Sequence, residues 1–189
     1  MTKGKKILIA AIIIIGVLYI MGRNGNKKDD TFSTLQYPQN QIALINATVD
    51  AMSKSKKADN DMQKGNALRE RSNAICSTIG SLFVKDWVGI ISNIDSNSDG
   101  YGILSVEINN DIFLKTWNNS VSDTFDNTLI RPGTKLFNTV SNLKRGQVIK
   151  FSGTFFADDQ TCINESSLSL DGKLKEPEFI FRFSKVTPL

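Results

Sequence analysis

The chain has 189 residues, 40% of them hydrophobic, and a formal net charge of +4. It contains no histidine, which excludes His-based catalytic triads and His-ligated metal sites, and it carries neither a P-loop nor a nucleophile elbow. The charge is unevenly placed: residues 1–84 carry 12 Lys and Arg against 6 Asp and Glu, and residues 85–189 carry 11 against 13, a net of −2 that repels nucleic-acid phosphates.

The first element is an uninterrupted apolar run, residues 7–22, directly behind Lys3, Lys5 and Lys6. At 1.5 Å per residue it spans roughly 24 Å, short of a hydrocarbon core about 30 Å thick, and Lys5, Lys6 and Arg23 make up the difference by snorkelling. A cleavable signal peptide has a core of the same length but needs small residues at its exit. Here Leu18, Tyr19, Ile20 and Met21 stand there, so an uncleaved single-pass anchor over residues 1–23, in contact with membrane lipid through residues 7–22, is expected. Lys and Arg tie at three on each flank. The amino-terminal charge breaks the tie, placing the amino terminus in the cytoplasm and the body outside.

Residues 24–37 are polar and read as a linker. Pro38 suits the first turn of a helix, and residues 38–83 read as a helical segment. Ile42, Ile45, Val49 and Met52 recur at helical spacing, a polar stretch from Lys54 to Gly65 interrupts, and Leu68, Ile75, Ile79 and Leu82 resume the stripe. This predicts two helices, or one long helix kinked at Gly65. The stripe over 42–52 packs on the following domain or, as the alternative, pairs with a second subunit; two heptads are too few to define a coiled coil.

From residue 84 to 189 the apolar period becomes two. Strands are predicted from Trp87 to Ile94, over Ile103, Leu104, Val106 and Ile108, and from Ile112 to Trp117. A short helix over Leu136, Val140 and Leu143 follows Pro132-Gly133 and ends at Gly146; strands from Gln147 to Phe156 and Phe179 to Val186 complete the chain. Three strands, a helix and two strands is the order of the OB-fold, with Gly89 and Gly153 serving its sharply coiled strands. The fold expected is therefore α+β: a transmembrane helix, a helical segment and a five-stranded OB-fold-like β-barrel with one helix between strands three and four.

Several stretches carry a family resemblance: Trp87-Val88-Gly89, Asn97-x-Asp99-Gly100-x-Gly102, Thr116-Trp117-Asn118-Asn119, Leu143-x-x-Gly146-Gln147, Phe151 to Phe155, and Pro177-Glu178-Phe179. Through them the region from about residue 68 to 188 resembles bacterial OB-fold proteins of the anticodon-binding-like group, most of all uncharacterised membrane-anchored members. These are strand and turn residues, so the resemblance implies a fold and no activity.

Two patterns merit chemical scrutiny. Asp95, Asn97 and Asp99 match the first half of a calcium loop, but the closing bidentate glutamate falls at Val106, with Glu107 one residue late and on the opposite face. A solvated hairpin turn explains the same residues. Trp117 with Asn118 and Asn119, joined by Tyr101, is the better binding candidate, because OB-folds commonly bind ligands over strands two and three and an aromatic face beside amides can stack a ring. The competing reading has the tryptophan plugging the barrel end and the amides capping a turn. Tyr101, Phe113 and Phe125 are equally compatible with core and platform roles, and the pairs Asp123/Asp126 and Asp158/Asp159 read as solvated loop carboxylates.

No cofactor, metal or catalytic residue is expected. The function predicted is an interaction module at the bacterial inner membrane, its periplasmic body binding another envelope protein or a small ligand. The alternative is a single-stranded nucleic-acid binder at the cytoplasmic face, using Lys144, Arg145 and Lys150 as a local patch. An exported body also predicts that Cys76 and Cys162, the only cysteines, form one disulfide.

Overall fold

The computed structural model describes residues 27–189. The predicted anchor over residues 7–22 lies outside them; among the described residues no helix is long and apolar enough to cross a membrane. The chain separates into two compact units at Leu35/Gln36. In the first, helix α1 (Lys27–Thr34) occupies most of the stretch expected to be a linker, with the Thr34 hydroxyl donating to the Thr31 carbonyl at 2.8 Å.

The second unit is α+β. It opens with α2 (Gln39–Lys56) and α3 (Asp61–Thr78), so the helical segment is two helices. The break falls at residues 57–60, not at Gly65. Asn60 caps α3 by accepting from the Gln63 N–H at 3.1 Å, and Asp61 adds a negative charge to the first turn. Gly65 lies inside α3, where a glycine costs only about 1 kcal/mol against alanine.

Five main strands follow: β1 (Phe83–Ser96), β2 (Gly102–Asn109), β3 (Ile112–Lys115), β4 (Val148–Phe155) and β7 (Glu178–Pro188), with helix α4 (Lys135–Val140) between β3 and β4. Their pairing runs β1-β2-β3-β7-β4 and closes back onto β1. Only β3 and β7 are parallel. Closure depends on β1, whose first half pairs with β4 (Phe83 to Ile90) and whose second half pairs with β2 (Ile90 to Ser96). The strand bends at Asp86, which has a positive φ of 56° beside a register shift between Val84 and Trp87. Gly89 sits where this bend brings strands together: a Cβ there would lie 2.7 Å from the Glu107 carbonyl oxygen. Gly153 faces the Arg182 carbonyl in the same way.

Three short elements were not predicted. β5 (Ala157–Asp158) and β6 (Cys162–Ile163) form a two-residue hairpin, and α5 (Leu170–Lys175) precedes β7. None is long enough to display a period. Strand β3 ends at Lys115, two residues before Trp117: Thr116 still bonds Leu104 of β2, and the Trp117 N–H turns to the Thr128 hydroxyl.

The core fills the sheet interior with Trp87, Phe151, Phe155, Phe179, Phe181 and Phe183, all buried. Their rings meet edge to face, with centroids 5.5 Å apart for Trp87–Phe155 and 4.9 Å for Phe155–Phe181. Helix α2 is fixed to β1 by polar contacts. The buried Gln41 side chain donates to the Val88 carbonyl at 2.5 Å and accepts from the Val88 N–H at 2.9 Å, while the Trp87 indole donates to Asn40 at 3.0 Å. Gln41 thus does for Val88 what a neighbouring strand would do. Helix α3 is tied to the hairpin by the disulfide between Cys76 and Cys162, whose Cα atoms are 5.5 Å apart.

Candidate functional site

The predicted binding residues converge on the connection between β3 and α4. Thr116 is buried: its N–H donates to the Leu104 carbonyl at 3.0 Å and its hydroxyl accepts from the Leu104 N–H at 3.2 Å, which fixes the point where the chain leaves the sheet. The next residues form a loop that is organised from inside. The Trp117 N–H donates to the Thr128 hydroxyl at 2.8 Å and its indole N–H to Asp126 at 2.7 Å. Asn119 accepts from the Ser122 N–H at 2.9 Å.

Asp123 is the hub. Its carboxylate accepts from the Thr128 N–H at 2.6 Å, the Thr128 hydroxyl at 2.7 Å and the Leu129 N–H at 3.1 Å. The loop's far end is joined to β2 by a pair of backbone bonds between Gly102 and Ile130, at 2.8 and 2.9 Å. The β1–β2 turn closes the arrangement. Asn97 accepts from the Asp99 and Tyr101 N–H groups at 3.0 and 2.9 Å, and the Ser120 hydroxyl donates to Asp99 at 2.6 Å.

The predicted residues fall into this arrangement as follows. Trp117 is half-buried and does not plug the end of the sheet; its indole bonds within the loop, Asn119 accepts from the Ser122 N–H, and Asn118 lies exposed beside them. Tyr101 lines a pocket of about 180 Å³ shared with Ser120, Asp123, Thr124, Asn127, Leu129 and Arg131. Asp123 and Asp126 are engaged loop anchors, not the solvated carboxylates expected. Asp158 is likewise engaged: burial opposes its charge, but bonds from Thr161 and Gln160 outweigh that and hold its carboxyl below the usual range. In the calcium-like turn, Asn97 is committed to its own backbone, and Asp95 accepts from the Ser96 N–H at 2.8 Å. Among the described residues no group of three acidic or cysteine side chains is placed to hold a metal ion.

On the loop's outer side stand Phe125, which the sequence leaves between core and platform roles, and Val121, which it does not single out. Val121 is 85% exposed and Phe125 92% exposed, four residues apart on a segment with helix-like bonds from the Asp123 N–H to Asn119 and from the Asn127 N–H to Asp123. An isolated apolar side chain on a surface is ordinary. Two on a loop held by internal hydrogen bonds, beside a pocket, are less ordinary. No local pattern marks them, since their exposure follows from the Asp123 hub.

The strand-two and strand-three face offers less. Lys115 pairs with Glu178 at 3.1 Å, and the Ser105 hydroxyl bonds that of Ser92 on β1 at 2.9 Å. Of the suggested basic patch, Arg145 bonds Asn93.

A second charged cluster is sealed. Arg71 on α3 pairs with Glu165, donates to the Lys173 carbonyl at 2.6 Å and lies 5.4 Å above the Phe179 ring. Burial pushes the Glu165 carboxyl up to about 7 against the pull of Arg71 and Lys173, and lowers Arg71. Both side chains are fully buried, so the pair is structural.

No family model matches this chain, and no curated protein or solved structure matches it.

Proposed function

We propose that the chain is a membrane-tethered OB-fold interaction module whose body, outside the cytoplasm, binds a partner protein through the loop from Trp117 to Arg131. The observation that carries this reading is the pairing of Val121 and Phe125, both solvent-exposed, with an internal scaffold that prevents the loop from folding them away. Fully burying a side chain of either kind stabilises a complex by about 1.5–3 kcal/mol, and a rigid loop gives up little entropy in return. The strand order, with β3 and β7 parallel at the closure and one helix between β3 and β4, supports the OB-fold assignment. The Cys76–Cys162 disulfide supports an oxidising compartment, and residues 7–22 supply the tether.

The competing function is tested together with the topology. A reporter fused to the carboxyl terminus should be active only outside the cytoplasm. The full chain in detergent should leave labelled single-stranded DNA and RNA unbound at physiological salt. A cytoplasmic reporter, or micromolar binding that weakens steeply with added salt, overturns the reading.

A further inference from the structure

A second incomplete surface lies elsewhere on the body. Between α2 and the β2–β3 turn runs a groove of about 280 Å³, floored by Val49 and Met52, with Ser53, Lys56 and the backbone of the turn from Asn109 to Asp111 as its lips. Val49 is 44% exposed there although it belongs to the helical stripe. The groove is roomier than the 180 Å³ pocket at Tyr101 and has an apolar floor, which suits an aromatic side chain.

The two surfaces carry opposite charge at one edge. Phe125 is flanked by Asp126, and Val121 by Ser120, which holds Asp99. The groove ends at Lys56 with Lys57 next in the chain. Among the described residues none of these four charged side chains forms an ion pair, whereas Lys54, one helical turn before Lys57, is bound by both Asp50 and Glu70. Asp111 on the opposite lip keeps the groove from being strongly basic, so the fit is led by apolar contact and oriented by charge.

We propose that the partner of the Val121/Phe125 element is a second copy of this chain, Phe125 of one copy seating on Val49 and Met52 of the next with Asp126 near Lys56. This rests on the reading of that loop as a protein contact. A knob and a groove at different places on one molecule make a head-to-tail interface, which propagates into a ring or a row instead of stopping at a symmetric dimer. One aromatic anchor makes a weak interface in solution. A membrane tether compensates by raising the local concentration of neighbours, as does the upper end of a wide concentration range in micelles.

The test is sedimentation velocity of the full chain in detergent micelles over a wide concentration range. Wild type should associate progressively, and Phe125→Ala or Val49→Asp should each weaken association roughly tenfold or more. Both positions are exposed, so an unchanged thermal midpoint will certify the fold of each variant. The mixture is decisive: Phe125→Ala keeps an intact groove and Val49→Asp an intact knob, so together they should form dimers and nothing larger. Wild type that stays monomeric, variants that associate as wild type does, or a mixture that stays monomeric each overturn the inference. A monomeric wild type whose residue 125 cross-links to a different protein would leave the proposed function standing and remove only self-association.

Discussion

Arg71 and Glu165 form an ion pair with neither side chain exposed to solvent, linking α3 to the segment behind β6. Arg71 Nε and one Glu165 carboxylate oxygen have no hydrogen-bond partner, so the pair carries an uncompensated desolvation cost. The Cys76–Cys162 disulfide joins the same two segments, each cysteine within five residues of one member of the pair. A covalent tie therefore holds together a contact whose electrostatics alone are marginal.

The Glu165 carboxyl is raised by burial from its ordinary 4.5 to about 7 in the folded chain. A carboxyl raised on folding favours the native state below its unfolded value and loses that contribution as pH climbs through the folded value. Its share of stability is thus present below about pH 4.5 and gone above about pH 7. Glu165→Gln keeps an acceptor for Arg71 and removes the titration. Denaturant midpoints between pH 4.5 and 8 should fall less steeply in this variant than in wild type; identical pH slopes would refute the assignment. Glu165→Ala, which leaves Arg71 buried without a counter-charge, should cost about 3–5 kcal/mol at pH 8.

Cys76 and Cys162 are separated by 86 residues, a closure worth about 4–5 kcal/mol in the chain-entropy account. The double serine variant should lose up to that amount. Thiol titration of the denatured, unreduced chain should find no free thiol. Two free thiols per chain would contradict both the bridge and an extracytoplasmic body.

Gln41 satisfies both polar groups of Val88 from a fully buried position. Gln41→Leu preserves bulk but strands a buried N–H and C=O, so a loss of about 2–4 kcal/mol is expected in chemical denaturation. A loss below about 0.5 kcal/mol would mean that Val88 finds other partners.

Asp123 links loop structure to the proposed contact. Asp123→Ala removes three hydrogen bonds at once and should lower hydrogen-exchange protection at the Thr128 and Leu129 amides while the sheet amides stay protected. Contact made by Phe125 should weaken with it, although Phe125 itself is unchanged. Unaltered protection at those two amides would show that the loop is held by something else.

The strand pattern was legible because alternation is a direct print of the pleat: Phe179, Phe181 and Phe183 point inward as their spacing requires. The stripe on α2 was legible only in part. Ile45 and Met52 are buried, but Gln41 and Thr48 take inward places and Val49 an exposed one. Both polar residues gain entry through hydrogen bonds, Thr48 to the Leu44 carbonyl at 2.8 Å and Gln41 to a strand 47 residues away, and the second of these is invisible to any local pattern. The site shows the same limit. Trp117 and Tyr101 pointed to this end of the sheet, but whether Phe125 faces core or solvent is decided by Asp123 bonding five and six residues ahead, not by the chemistry of a phenyl ring.

The most direct measurement of the central claim places a photo-crosslinking amino acid at position 125 of the full chain in cells, with the same probe at exposed Lys185 on β7 as the control. Illumination at position 125 should give one discrete protein adduct that is weakened by Asp123→Ala, and position 185 should give none. No adduct at 125, or equal labelling from both positions, would contradict the claim that this loop is where the body meets its partner.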